Sequence, residues 1–445
     1  MKRANTPTLT RRPGNRVRQA RAAARSLRAY WVGEATSLAG SSVHTVALPV
    51  AAVMQLNATP SQMSLLAAAS TAAAVVLALP AGVLGDRCAK RTVMVATDLT
   101  AAAVVATVPL CWATGSLSMP VLYAVALLLG ALTVLHQAAS IAIVPEIVRP
   151  QDLPAANSRI GAAYAVADTA GTYGGTLVVG LAGAARALWL DALSYLVSAC
   201  CALRITPAPA RHPQGGRPGR VLGDIRDGIG YVMRDPIQRP LVLALATHAG
   251  ADGIVTTYTA YTLLTRLHAG STGLGVVMGV TGAGGLAGAL AARRLTARCG
   301  PGRVIAAGFA GYAVCAVPLL VARPGVGWLA VLALAGAVKT AAAVAAGTTQ
   351  RSLRQQLCPP HLQSRAQQTA VWLVSGVRPL AALTAGGIAA ACGVRAALLA
   401  GTALYLIPVA LVQASRAGRL TAMPCTPGDP LPAPGTLNGQ TRSPA

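Results

Sequence analysis

The sequence predicts an all-α integral membrane protein, with twelve transmembrane helices in two six-helix repeats. Three observations lead there. The 445 residues are 54% hydrophobic and only 11% charged, far from the balance of a soluble chain of this length. The apolar residues form runs of about 20, the length that crosses a bilayer core. A charged motif at the end of the second run returns in eroded form about 200 residues later, in Gly288-Ala-Leu-Ala-Ala-Arg-Arg294, and Gly174-Gly175 is echoed by Gly386-Gly387 at a similar offset.

In chain order the runs fall at 29–54, 62–84, 92–112, 118–143, 159–182, 187–205, 240–264, 272–292, 303–322, 326–348, 367–391 and 394–414. An even number places both termini on one side. Only Arg186, Arg266, Arg323 and Arg395 would lie at outer loops or outer span ends, and only Lys339 and Arg378 inside spans; the other Lys and Arg residues, of 37 in all, fall on the side of the termini. The excess of cytoplasmic Lys and Arg makes that side the cytoplasm. The expected organisation is a basic tail at 1–28, a bundle at 29–205, a linker at 206–239, a second bundle at 240–415 and a disordered Pro/Gly/Thr-rich tail at 416–445. Residues 224–235 of the linker read as an amphipathic helix lying on the membrane surface. The basic stretch from Arg11 to Arg28 precedes a run long enough to span and no small-residue cleavage site follows it, so it is not read as a leader.

A net charge of +25 would suit nucleic acid on a soluble face, but here the cations sit between apolar runs and one Phe is present, so the stacking surface for bases is missing. The nine cysteines make no C-x-x-C pair, against a zinc site or disulfide scaffold. Gly282-Ala-Gly-Gly-Leu-Ala287 fits a dinucleotide pattern, yet it lies inside a span with no preceding strand, where small residues serve helix packing. No phosphate-binding loop occurs and no Asp-rich run of a membrane-embedded transferase occurs. Neither an enzyme nor a cofactor is expected.

The segment Gly82-Val-Leu-Gly-Asp-Arg-Cys-Ala-Lys-Arg91 is a short charged turn between two apolar spans. It resembles the signature loop of the major facilitator superfamily, Gly-x-Leu-x-Asp-Arg-x-Gly followed by basic residues. Gly82, Leu84, Asp86, Arg87, Lys90 and Arg91 match, and Ala89 replaces the second glycine. Residues 143–157 are similar to the fourth-to-fifth loop of the exporter-like branch, the macrolide, siderophore and drug efflux type, and residues 191–199 to its sixth helix. Gly171-Thr-Tyr-Gly174-Gly175 resembles the Gly-Pro-rich motif of drug and proton antiporters, with Thr172 at the proline position. The resemblance implies two six-helix halves related by an axis along the membrane normal, a conformational latch at the signature loop, a cavity lined by helices one, four, seven and ten, and contact between halves through helices two, five, eight and eleven. On that scheme Asp168, Arg378, Gly171 and Gly175 belong to the half-to-half contact.

Five of the twelve acidic residues fall inside predicted spans: Glu34, Asp98, Asp168, Asp191 and Asp252. An ionised group facing lipid costs roughly 2.5–3.5 kcal/mol, so each needs a partner or a cavity. The candidates for proton coupling or the substrate cavity are Asp252, Lys339, His248, His44 and Glu34. Asp252 and Lys339 are expected to form an ion pair, static or broken by a proton or an anionic substrate, with His248 one turn from Asp252 on the same face. Glu34 either couples or snorkels to the headgroups. His44 is either a hydrogen-bonded packing residue or a substrate contact. Asp98 is a candidate partner for Arg91, and Trp31, Tyr258 and Tyr261 are candidate cavity aromatics.

The resulting expectation is a secondary transporter working by alternating access, a proton-coupled exporter of a small amphipathic drug or secondary metabolite, with protons and the bilayer as its other partners. An importer or facilitator of a polar solute is the alternative, and a membrane-embedded transferase a remote one. The family default is a monomer. A bias to Ala and Arg over Lys and Phe points to a GC-rich bacterial genome and hence to a plasma membrane.

Overall fold

A computed structural model describes residues 13–87, 89–148, 171, 175, 178–206, 221–359 and 363–422. The secondary structure in these segments is helical. In order come α1 (Pro13–Leu56), α2 (Pro60–Arg87), α3 (Lys90–Ala113), α4 (Met119–Ile147), α5 (Ala184–Leu203), α6 (Val221–Arg234), α7 (Gln238–Tyr261), α8 (Gly270–Cys299), α9 (Pro301–Ala316), α10 (Val326–Leu357), α11 (Gln363–Cys392) and α12 (Val394–Leu404). After α7 the chain winds into a π-helical turn, Thr262–Arg266. Pro318–Val321 extends α9 and Leu406–Ala414 extends α12.

Among the described residues, ten helices are long and apolar enough to cross a membrane. They account for ten of the twelve predicted spans. Most of predicted span five lies outside the described residues. Predicted span seven is the helix α7, which carries Arg239, His248 and Asp252 and is not among the ten. Helix α1 runs back to Pro13, so part of the predicted basic tail is helical.

The chain divides into two compact units: Met1–Gly216 with Thr257–Gly279, and Arg217–Thr256 with Val280–Ala445. In the first, α1 packs on α5 and α4, α2 on α4, and α3 on α5 and α4. Its core includes Tyr30, Met94, Ile143, Ile147 and Ile205. Thr59 and Gln62 open α2 with a reciprocal capping box: the Thr59 N–H donates to Gln62 Oε1 at 2.8 Å and the Gln62 N–H to Thr59 Oγ1 at 3.3 Å, meeting two donors that a helix start leaves unpaired.

In the second unit α9 packs on α10 and on the extension of α12, and α11 on α6 and α12. Asp235 caps α7 by accepting the N–H groups of Ile237 and Gln238 at 2.8 and 2.7 Å. Gly284 and Gly288, inside the dinucleotide-like decoy and the eroded repeat, lie against the backbone of Ala337 and Ala341 on α10, the packing role that small residues serve between membrane helices.

The amphipathic helix expected at 224–235 is α6, and it packs within its unit: Val232 joins Cys358, Ala366 and Ala370 in a small core, and the Tyr231 hydroxyl donates to Leu357 O at 3.4 Å. Burial, with Cys358 and Asp235 nearby, pushes the Tyr231 phenol up and keeps it a donor. The tail predicted to be disordered from 416 is folded as far as 422, because Ala417 is fully buried and the Gly302 N–H donates to Leu420 O at 3.1 Å; residues 423–445 lie outside the described residues, as does the linker at 207–220.

Candidate functional site: two buried polar clusters

The first cluster is built on α1, α3 and α4. Glu34, a third of the way along the spanning part of α1, meets His136 of α4, with Oε1 2.9 Å from Nε2. The other ring nitrogen, Nδ1, lies 3.1 Å from Asp98 Oδ1 and 3.2 Å from Thr97 Oγ1 on α3. Glu34 and Asp98 are 9% and 1% exposed. At 1.5 Å per residue, the three side chains sit about 12–15 Å in from the ends of their spans at Ala24, Lys90 and Val144. They therefore share one depth.

The protons in this cluster are constrained by a neighbour. A threonine hydroxyl has one hydrogen, and Thr97 Oγ1 lies 2.8 and 2.9 Å from the carbonyls of Val93 and Met94, which take that hydrogen. Thr97 consequently offers only lone pairs to His136 Nδ1, as Asp98 Oδ1 does. With Asp98 ionised, Nδ1 carries the hydrogen. The Nε2 to Glu34 contact then needs one further proton, on either atom.

These positions correct two expectations. Glu34 does not snorkel to the headgroups but bonds to His136. Asp98 pairs with His136 and not with Arg91, whose guanidinium donates to Leu203 O at 2.6 Å. His44 Nδ1 bonds Asp191 Oδ2 at 2.8 Å, and Asp191 is fully buried; of the two readings of His44, the geometry matches the hydrogen-bonded packing residue. Gly40 leaves room for this pair, since a Cβ there would meet Ser194 and Asp191.

The second cluster is built on α7, α9, α10 and α12. Asp252 Oδ1 accepts hydrogen bonds from the hydroxyls of Tyr312 at 2.5 Å and Tyr405 at 3.3 Å. The His248 ring sits among Tyr312, Phe309 and Tyr405, with centroids 4.5, 5.3 and 5.4 Å away. Lys339 Nζ lies 4.8 Å from the Tyr312 ring centroid, within cation–π range. The expected Asp252–Lys339 ion pair is thus corrected: no Asp252–Lys339 contact within 4.0 Å exists, and Tyr312 stands between them, its hydroxyl on the carboxylate and its ring face toward the ammonium. A phenol can satisfy a buried carboxylate without a second full charge in contact with it. Arg378 is exposed.

At the signature loop, α2 stays helical through Arg87 and α3 begins at Lys90. Ala89 takes φ −63° and ψ 108°, an ordinary conformation for alanine that needs no glycine. Lys90 Nζ pairs with Glu146 Oε1 at 2.8 Å, tying α3 to the end of α4. Gly82 lies within α2; the side chains of Asp86 and Arg87 lie outside the described residues, as does Asp168. Gly171 and Gly175 lie against Ala39 and Val43 of α1. Tyr258 is fully buried and donates to Pro60 O at 3.1 Å, which leaves no cavity-facing surface.

His136 is the functional candidate that the sequence reading missed. A lone histidine in the middle of a predicted span is a signal that could have found it, since intramembrane polar groups demand partners.

A protein-family model described as Transmembrane secretion effector matches residues 20–442. Comparison with curated protein sequences finds no match. Among solved structures the chain is similar to a mutant of the nucleoside transporter NupG, at 12% identity and TM-score 0.71, covering 87% of this chain and 99% of that one. It is also similar to a bacterial homolog of the human lysosomal transporter Spinster in an inward-facing, unoccupied conformation, at 14% identity and TM-score 0.63, covering 91% and 97%. A bacterial homologue of the iron transporter ferroportin, in an inward-facing state, matches at 14% identity and TM-score 0.65, covering 87% and 98%. At such identities these likenesses speak to the fold. The match along nearly the whole chain, on helices that enclose charged groups and cross a membrane, places the chain in the Transmembrane secretion effector family of major facilitator transporters: it is a multi-pass membrane transport protein and not an enzyme.

Proposed function

We propose that the protein is a proton-coupled exporter of a small amphipathic drug or secondary metabolite, working by alternating access in a bacterial plasma membrane with both termini cytoplasmic. The observation that carries this reading is the buried polar chemistry on membrane helices in a secretion-type family. Glu34, Asp98 and Asp252 are each held by hydrogen bonds, whereas a helix bundle that merely spanned would be more stable with apolar residues there. The sequence carries no nucleotide-binding loop, so the energy comes from a gradient and protons are the ion that carboxylates and histidine bind. The signature loop, with Gly82, Asp86, Arg87, Lys90 and Arg91, serves as the latch between conformations, and Lys90–Glu146 is its described ion pair.

Acid-loaded inverted membrane vesicles test this. Addition of a transported compound makes the lumen alkaline, read by a pH-sensitive dye, and Asp252→Asn at equal expression abolishes the response. No compound-dependent alkalinisation across cationic and neutral compounds would defeat proton-coupled drug export. Uptake of a polar solute driven by the opposite gradient would instead establish the importer reading, to which the likeness to a nucleoside transporter lends some support.

A further inference from the structure

We propose that Asp252 and Arg378 are the two ends of a ligand site on the second unit, and that the ligand is a small amphipathic zwitterion, with its ammonium on Asp252 Oδ2 and its carboxylate on the Arg378 guanidinium. The proposal narrows the compound class of the exporter and rests on that reading for transport, whereas the site itself rests on geometry within one unit.

The two charges leave neighbouring backbone. Each stands near the middle of its helix, Asp252 on α7 and Arg378 on α11. A Cβ at Gly253, the residue after Asp252, would lie 3.8 Å from the Arg378 Cα, 3.5 Å from its carbonyl oxygen and 3.1 Å from the Ala381 Cβ, so a glycine lets α7 and α11 meet here. Yet the side chains do not pair: no Asp252–Arg378 contact within 4.0 Å exists.

Each group lacks what the other end of a zwitterion supplies. Asp252 is half-buried, and its Oδ1 takes both phenols, those of Tyr312 and Tyr405. Its Oδ2 has no hydrogen-bond partner among the described residues and, unlike His248 Nδ1, is not sealed off. Arg378 is exposed and has no ion-pair partner among the described residues. Lys339 lies over the Tyr312 ring and reaches neither carboxylate oxygen. An open acceptor and an open guanidinium on adjoining helices call for a ligand that donates at one end and accepts at the other.

The face that carries them is not the lipid face. On α11 the exposed apolar side chains nearest in sequence, Leu380 and Leu383, lie about 160° and 140° around the helix from Arg378. Helix α7 exposes no large apolar side chain, and Thr256, one turn beyond Asp252, is exposed. An unpaired charge in a spanning helix belongs on such a polar face. A purely cationic compound on Oδ2 would meet repulsion from Arg378, and a purely anionic one on Arg378 would meet repulsion from Asp252. A zwitterion meets neither, and the guanidinium fork matches the two oxygens of its carboxylate.

Norfloxacin, a fluorescent zwitterion, tests the site when titrated into full-length protein in lipid nanodiscs with no pH gradient. Beside it are titrated its methyl ester, which keeps only the ammonium, and its N-acetyl form, which keeps only the carboxylate; fluorescence anisotropy reads binding. Norfloxacin is expected to bind about 10- to 100-fold more tightly than either analogue, the range for one lost charge-assisted contact. Arg378→Gln brings norfloxacin down to the level of its methyl ester without weakening the ester, Arg378→Lys recovers part of the loss, and Asp252→Asn brings norfloxacin down to the level of the N-acetyl form. Equal binding of norfloxacin and its methyl ester, indifference of norfloxacin to Arg378→Gln, or no binding of any of the three at millimolar concentration overturns the proposal. Thermal unfolding checks that Arg378→Gln is folded; if it is not, the three compounds on the wild type decide. Transport in inverted vesicles tells the two readings apart. Norfloxacin bound with this charge dependence but not moved by a pH gradient leaves the site standing and defeats its proton-coupled export, whereas norfloxacin moved equally by wild type and Arg378→Gln sustains export and overturns the site.

Discussion

At the scale of the residue, several buried charges among the described residues make their closest contacts with neutral or histidine partners. Asp252 takes two phenols, Asp191 and Glu34 each take a histidine, and Lys339 takes an aromatic face. Such partners meet a carboxylate's lone pairs with less desolvation than a second ion would require. Tyr312 carries two of these contacts at once. Tyr312→Phe keeps the ring under Lys339 and removes the hydroxyl, leaving Asp252 with the longer bond to Tyr405. The expected cost is about 1–3 kcal/mol, the usual penalty for a buried acceptor losing its donor. Thermal unfolding in nanodiscs measures it, and a change below a few tenths of a kcal/mol would show that Asp252 does not depend on this bond. None of these pairings was written in the sequence near the charge: Tyr312 lies 60 residues from Asp252 and Tyr405 lies 153 away.

At the scale of the element, glycines set how closely helices approach. Gly171 and Gly175, one turn apart, face Ala39 and Val43 of α1, and a Cβ at Gly171 would come within 2.6 Å of the Ala39 Cα. Backbone cannot swing aside as a flexible side chain does. Gly171→Ala should therefore push the two helices apart at a cost of about 1–3 kcal/mol, the range for overpacking a well-filled site. The conservative control is Gly230→Ala on α6, where a Cβ would meet nothing within 4 Å and alanine favours the helix. Thermal unfolding of the two variants side by side checks the prediction: equal stability would mean that the α1 contact is looser than the structure has it. The glycine-rich segment was legible in the sequence as a family-like motif, but the α1 contact was not, because small residues suit any close approach.

At the scale of the whole molecule, the distribution of Lys and Arg makes a prediction that packing does not touch. The loop at Gly115–Ser116, between α3 and α4, should lie outside, and the chain end after Ser415 inside. Alkaline phosphatase fused after Ser116 should be active, and a green fluorescent protein fused after Ser415 should fluoresce. The reverse pattern would invert the topology and with it the direction assigned to transport. The family match along residues 20–442 was foreshadowed by the charged turn at 82–91, which a sequence shows because its glycines and charges interrupt an apolar background.

The sequence by itself determined the fold class and the positions of most spans, since these depend on run length, which is linear in the chain. It did not determine which buried charges meet. That depends on how each helix is rotated about its axis, and a span that is apolar on all sides carries no moment to report its rotation. Lys339 and Asp252 were therefore expected to pair, yet each meets Tyr312, and Glu34, Asp98 and His136 converge from three helices that nothing local aligns. Only tertiary packing, which must find a partner for every polar group removed from water, decided those contacts.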